Sequence, residues 1–335
     1  MPPYVHQHAS HCESGVMSSL VRHRGLPMSE AMAFGLASAI LFAYLPFIRV
    51  HGLPIVAYRS PPRGIIRRLD RDLGLGMRFE RFRSPAEGTR RLNELLEQGS
   101  LVGLQTSAFW LPYFPPDMRF HFNAHNSIIY GREAGREGDE YLVSDPVGET
   151  VVRIARADLE KARFAKGILA PKGLLYYATA TPASPDWAKL GKRALARATN
   201  AMLRTPLPFV GVRGIRMLAW QVSRLADDAH ARLYIGNIVR MQEEIGTGGA
   251  GFRFLYASFL QELGELTGYA LLGKLATDLV EIGDRWREFA LAAALMIRGR
   301  KPFDAAALAA RLRELAAEEK RFFSELDAKQ RAWAC

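Results

Sequence analysis

The sequence predicts an α+β domain followed by an all-helical one, and three features of the 335-residue chain carry that expectation. In the first half, apolar residues at helical spacing come before segments rich in β-formers, the order of an α+β unit rather than an alternating βαβ one. From Trp187 onward the strand signals fade and helical periodicity takes over. Between the two lies Pro182-Ala-Ser-Pro-Asp186, the best linker in the chain, so the expected domains are 1–181 and 187–335. A hydrophobic content of 49% is ample for two cores.

The elements follow in order. Val16 and Leu20 recur at four-residue steps from Cys12, with Met17 and Val21 beside them, so a first helix runs from Cys12 to Arg24 with the thiol on the core side of its first turn. The apolar run Ala31 to Phe47, capped by Ser29, reads as a buried helix; it is short for a membrane span and holds Gly35, Ser38 and Pro46. Pro61-Pro62 opens a helix through Leu73, and Met77, Phe79 and Phe82 suggest an edge strand. Ser84 caps an amphipathic helix to Gln98, and Leu101 to Leu104 begins a strand. The segments His121–Gly131 and Tyr141–Pro146, separated by the polar stretch Glu133–Glu140, form a β-hairpin centred on Gly135 and Arg136, and Leu174 to Ala178 supplies a last strand. Helices then run to Leu203, from Val212 to Ala226 and from Phe303 to Leu326, the last with ordinary mixed surface charge.

The chemistry centres on Cys12. A helix N-terminus or a nearby imidazolium stabilises thiolate, which would make it a nucleophile; the other reading of a free cysteine is a small buried hydrophobe. The expected hairpin puts position 125 opposite positions 145 to 146, and directly paired residues have Cβ atoms about 5 Å apart, so His125 and Asp145 can touch. A carboxylate on one imidazole nitrogen leaves the other free to take a thiol proton. His121 shares the parity of His125 and is its rival as general base.

His11-Cys12-Glu13-Ser14, Leu26–Ala31, Phe34-Gly35-Leu36, Leu111-Pro112-Tyr113, His121 to His125 with Gly131, Asp145-Pro146 and Leu159–Arg163 together resemble the butirosin-biosynthesis protein H N-terminal family. The likeness spans roughly residues 1 to 180. It implies a papain-like fold with cysteine, histidine and aspartate in this chain order, hence Cys12, His125 and Asp145. The named member transfers an aminoacyl group from a carrier-protein thioester to an aminoglycoside amine, so the implied partners are an acyl carrier protein or other acyl thioester and a small-molecule amine acceptor. Hydrolysis by the same triad and a non-catalytic binding role remain the alternatives.

In papain-like enzymes a glutamine six positions before the cysteine donates to the oxyanion. Here Gln7 is five before and His6 six, so Gln7, Tyr113 and His121 are the side-chain candidates for substrate or oxyanion contact, beside the backbone amide of Cys12. Residues 244–253, with Tyr256, Phe259–Glu262, Ile282-Gly283 and Trp286, resemble the helical domain of unknown function that accompanies this family. Arg253 is the residue there most able to bind an anion, with a solvated or salt-bridged arginine as the commoner outcome. The glycine run 246–251 lacks a following Gly-Lys-Ser/Thr and reads as a helix break, not a phosphate cradle.

The net charge of +11 is concentrated at Arg63–Arg71 and Lys189–Arg204 without interleaved aromatics, and no nucleic-acid motif occurs, so no nucleic-acid partner is expected. The acidic surface of a carrier protein would complement the charge; arginine-rich codon usage is the competing explanation. His6, His8, His11 and Cys12 are zinc-type ligands without a distant second pair, so neither a metal nor another cofactor is expected. Two cysteines form no disulfide framework, and no basic-then-apolar leader opens the chain. Together with the lack of a spanning segment, this gives a cytoplasmic expectation with no membrane partner.

Overall fold

A computed structural model of the chain describes residues 4–50, 52–135, 138–182 and 184–333. In chain order the elements are α1 (Cys12–His23), α2 (Glu30–Leu36), β1 (Ile40–Val50), β2 (Leu53–Arg59), α3 (Gly64–Leu73), β3 (Arg78–Glu80), α4 (Pro85–Glu97), β4 (Val102–Thr106), β5 (His125–Gly135), β6 (Gly138–Ser144), β7 (Val152–Ala155), α5 (Arg156–Arg163) and β8 (Leu175–Tyr177). Six helices complete the chain: α6 (Trp187–Leu203), α7 (Gly211–Val222), α8 (Ala229–Glu243), α9 (Arg253–Thr267), α10 (Leu271–Ile297) and α11 (Ala305–Ala332). The expected class, mixed helix and antiparallel sheet with Cys12 on an early helix and a helical C-terminal region, is what the chain adopts.

Two compact units divide the chain, but not by a single cut. The first comprises Met1–Ala33 and Pro62–Pro185; the second comprises Phe34–Pro61 and Asp186–Cys335. The later crossing falls at the Pro-rich linker. Segment 34–61, assigned from sequence to the N-terminal domain, belongs to the second unit.

In the first unit a six-stranded antiparallel sheet has the order β3-β8-β4-β5-β6-β7, with the expected edge strand at one margin. Alternate residues of its strands, among them Val102, Leu104, Ile129, Tyr141 and Val143, form a core with Leu92 and Leu95 of α4 and Leu159 of α5. Helix α1 packs on β5. The Glu13 carboxylate accepts from the amides of Ile65 (2.9 Å) and Ile66 (3.3 Å), capping α3, and Ser84 caps α4 as expected through the Glu87 amide.

The hairpin is longer and differently registered than the sequence suggested. Of the stretch Glu133–Glu140, read as turn, Glu133–Gly135 and Gly138–Glu140 are strand: Glu133 pairs with Glu140 and Gly135 with Gly138. Arg132 bridges to Asp139 (3.3 Å) and Arg153 to Glu133 (2.8 Å), cross-strand ion pairs that suit a polar ribbon. Arg136, half of the expected turn centre, lies outside the described residues. A register shift between Ile129 and Gly131 brings Ile128 opposite Ser144, so His125 is not the direct partner of Asp145.

The expected buried helix from Ala31 to Phe47 is a second correction. Helix α2 stops at Leu36, Ser38 takes a left-handed φ of 51°, and the chain continues as β1, paired with β2. The residues after Ala39 are dominated by aliphatic and aromatic β-formers, and a second such run follows Gly52, so pairing outweighs a helical pattern that Pro46 would interrupt. In the second unit this hairpin is part of the core. Phe42 and Tyr58 meet edge to face at 5.3 Å, both pack on Trp286, and Tyr234 Oη donates to Tyr44 Oη at 2.7 Å.

Below those rings lies a fully buried ion pair. Arg253 Nε donates to Glu319 Oε1 (2.8 Å) and Nη2 to Oε2 (3.0 Å), Trp286 Nε1 donates to Oε1 (2.7 Å), and Arg253 Nη1 donates to the Gly251 carbonyl (2.6 Å). Tyr58 and Trp286 flank the guanidinium at 5.7 and 5.3 Å. The glycine run forms the break between α8 and α9, with positive φ at Gly246, Gly248, Gly249 and Gly251. Among the described residues no helix is long and apolar enough to cross a membrane.

Removing one member of this pair strands a buried charge. Glu319→Ala should therefore destabilise the protein by about 3–5 kcal/mol, read as a lowered midpoint in urea unfolding, with a smaller loss for Trp286→Phe. Near-wild-type stability of Glu319→Ala would contradict the sealed geometry.

Candidate active site

Cys12 is the first residue of α1 and only 6% exposed. Three groups fix this helix start. The His11 imidazole caps it, accepting from the Ser14 amide at 3.3 Å. The Glu30 carboxylate accepts from the amides of Ser10 and His11, each at 2.8 Å, and from Ser14 Oγ at 3.0 Å. Burial raises the Glu30 carboxyl above its usual range, and these hydrogen bonds oppose the rise. The third constraint is Gly15, where a Cβ would lie 2.5 Å from Pro146 and 2.7 Å from Ala9. Only a bare α-carbon lets α1 approach the turn after Asp145 this closely.

His125, the first residue of β5, and Asp145, just past the end of β6, are 5% and 1% exposed. The bulge displaces their strands, yet His125 Nε2 and Asp145 Oδ2 are 2.7 Å apart. Asp145 has two further partners: Tyr113 Oη donates to Oδ2 at 2.9 Å and the Val147 amide to Oδ1 at 3.2 Å. With Nε2 committed to Asp145, Cys12 is the other group that acts on the imidazole and favours its charged form. Burial pushes the imidazole down, but the charge and hydrogen bond of Asp145, followed by the hydrogen bond and charge of Cys12, outweigh it and bring His125 up to about 10. Burial, then the Asp145 charge and hydrogen bond, raise the Tyr113 phenol well above its ordinary value, so it remains a donor.

The N-terminal segment straps the Asp145 turn. Tyr4 Oη donates to Ser144 Oγ (2.7 Å), His6 bridges Ser144 Oγ (2.7 Å) and the Gly148 carbonyl (3.0 Å), and the Ala9 amide donates to the Pro146 carbonyl (2.6 Å). His6, at the six-residue spacing, is thus turned to the strap and not to the thiol. His11 serves as a cap, and among the described residues no group of three or more His, Cys, Asp or Glu is placed to hold a metal.

The chain's sequence matches two family profiles in series: butirosin biosynthesis protein H, N-terminal, over residues 11–146, and a domain of unknown function (DUF4872) over 157–326. The chain belongs to this two-part family. Membership points to a biosynthetic enzyme of the butirosin protein H family. No curated protein sequence matches the chain. The profile limits do not follow the compact units: α5 and β8 fall inside the second match yet build the first unit, while β1 and β2 fall inside the first match and build the second.

Of the residues singled out by sequence, Cys12, His125 and Asp145 come together. Tyr113 joins them as a positioning residue on Asp145 rather than as a group facing the thiol. Gln7 is exposed on the strap. His121, also exposed, precedes β5 and stacks on Phe109 at 4.1 Å, because the strand that would give it the parity of His125 starts only at position 125. Arg253 is corrected as an anion site: it lies in the second unit with no exposed surface, committed to Glu319. Sequence reasoning missed Asn126, whose Nδ2 lies 3.9 Å from Cys12 Sγ. Its adjacency to His125 was the available signal, but strand alternation sends neighbours to opposite faces and so argued against it.

The His125 shift fixes a pH dependence. A folded value raised to about 10, against about 6.5 unfolded, means that the contribution to stability is full below about 6.5, declines above it and is lost as pH rises through about 10. The stability difference between wild type and His125→Asn in urea should therefore shrink with rising pH across that window. A difference that grew with pH would show the opposite sign of shift.

Proposed function

We propose that the protein is a cysteine-dependent acyltransferase that moves an acyl or aminoacyl group from a carrier-protein or other thioester to a small-molecule amine. The observation that carries this reading is the buried imidazole held by Asp145 at 2.7 Å, next in sequence to Asn126, whose amide lies 3.9 Å from a thiol at a helix N-terminus.

In this mechanism the Cys12 thiolate attacks the thioester carbon, forming a new S–C bond as the carbonyl electrons move to oxygen. Collapse restores the carbonyl and breaks the bond to the donor thiol, which leaves with the proton from His125. The amine then attacks the acyl-enzyme, His125 takes the amine proton, and Cys12 departs as thiolate with the amide released. Asp145 keeps the ring oriented throughout, and Tyr113 keeps Asp145 in place. Exchange between thioesters is nearly isoenergetic, so catalysis here consists of positioning, oxyanion stabilisation and exclusion of water. The burial of Cys12 and His125, with the Phe114 ring 5.1 Å from the imidazole, favours transfer to an amine over hydrolysis.

The nucleophile is tested by Cys12→Ser, which should abolish turnover and keep the fold, since a hydroxyl is far less ionised than a thiol. In mass spectrometry with acyl thioesters, an adduct on Cys12 that persists until amine is added supports transfer; rapid turnover without amine supports hydrolysis instead, and no adduct with any donor supports a binding role. Asp145→Asn should lose more rate than His121→Ala, because it removes the acceptor that selects the imidazole tautomer. Equal losses would reassign the base.

The charge of +11 supports an acidic carrier protein as donor, attracted over long range. Raising salt should then lower kcat/KM for carrier-bound donors and leave a small thioester mimic unaffected. An equal response from both would remove the steering contribution.

A further inference from the structure

We infer that Asn126 is the side-chain donor that receives the acyl carbonyl oxygen when Cys12 attacks, acting with the backbone N–H of Cys12. The inference rests on the acyl-transfer reading and fills the place that Gln7 and His6 leave vacant. Asn126 is 3% exposed, and its amide orientation is fixed by its neighbours. Nδ2 donates to the Ala124 carbonyl at 3.0 Å, and Oδ1 accepts from Tyr176 Oη at 2.9 Å. The NH₂ group has two protons, and the second is directed toward Cys12 Sγ.

Tyr176 is what locks this arrangement. It lies on β8, which pairs with β4, which pairs with β5, and its Oη crosses β4 to reach Asn126. The crossing is open because residue 103 is glycine: a Cβ there would lie 2.2 Å from the Tyr176 ring. The phenol is raised well above its ordinary value, first by burial and then by the charges of Glu13 and Cys12, so it stays protonated and donates. Oδ1 must then accept, and the amide cannot flip away from the thiol.

The separation of 3.9 Å is long for a direct N–H···S hydrogen bond but suits an oxygen bound to the carbon that Sγ attacks, which can sit between the two. Effective oxyanion donors lie about 2.7–3.1 Å from the place the oxygen occupies after attack. Cys12 is the first helical residue, so its N–H has no partner within the helix and supplies the second donor. The developing charge thus meets one N–H from α1 and one from β5.

The experiment compares two reactions of the same thiol. Acylation by the N-acetylcysteamine thioesters of acetate, butyrate and alanine builds an oxyanion; alkylation by iodoacetamide does not. Asn126→Ala should slow acylation on the order of 10²–10³-fold while leaving the rate and pH profile of alkylation unchanged. Should Asn126→Ala fail to fold by circular dichroism, Tyr176→Phe decides by the same comparison, since it frees the amide without emptying the site and should also slow acylation selectively. Acylation at the wild-type rate overturns the inference alone. Equal loss of both reactions also overturns it, assigning Asn126 to thiolate stabilisation or packing. Failure of the wild-type enzyme to acylate with any of these thioesters, while it still alkylates, removes the acyl-transfer reading and this inference with it.

Discussion

The contact between His125 and Asp145 is the constraint around which the first unit is arranged. Two buried ionisable groups are tolerable only when each satisfies the other, and at 2.7 Å they do. Most of the surrounding architecture keeps them there. Tyr113 and the Val147 amide occupy the remaining acceptor capacity of Asp145, the strap from Tyr4 to Ala9 ties down its turn, and Gly15 lets the cysteine helix come against Pro146. Three partners converge on the carboxylate itself, while the strap and Gly15 hold the turn that carries it. That over-determination is how a site holds a fixed geometry on a strand end and a turn.

Much of this is legible in the sequence. Cys12 at a helix start followed from four-residue periodicity, which reports directly on burial. The expected hairpin forms, but its register is not the symmetric one from which the pairing of His125 with Asp145 follows. The two residues meet although the register does not pair them, because Asp145 has already left its strand and its side chain reaches the ring, a compensation that single-sequence patterning does not encode. Asn126 is hidden by the same rule: alternation describes strand interiors, whereas His125 and Asn126 are the first two residues of β5, where Asn126 reaches the Cys12 sulfur and Cys12 still acts on the His125 ring.

The other misreadings have a common physical origin. Ala31 to Phe47 is apolar enough to be a buried helix or a buried strand, and only its partner decides; the β-forming run after Gly52 and the rings of Trp286 and Tyr234 are that partner. Arg253 is the strongest anion binder of its segment, and of the two readings open to it the salt-bridged arginine is the one the fold adopts. Its carboxylate is 66 residues away in sequence, a pairing that local chemistry cannot announce.

The way the chain threads its two units also limits how it can be divided. A fragment ending at residue 181 would carry the strands that hold Phe42, Tyr44 and Tyr58 but none of the helices that cover those rings, and a fragment starting at 187 would lack the strands that complete its core. Each piece would expose a broad apolar face and tend to aggregate. A cut at the obvious linker is therefore the wrong place to separate the site-bearing unit. A piece able to fold alone would need residues 34–61 replaced by a short polar connection between Ala33 and Pro62, so that gene-level modularity and physical modularity part company in this chain.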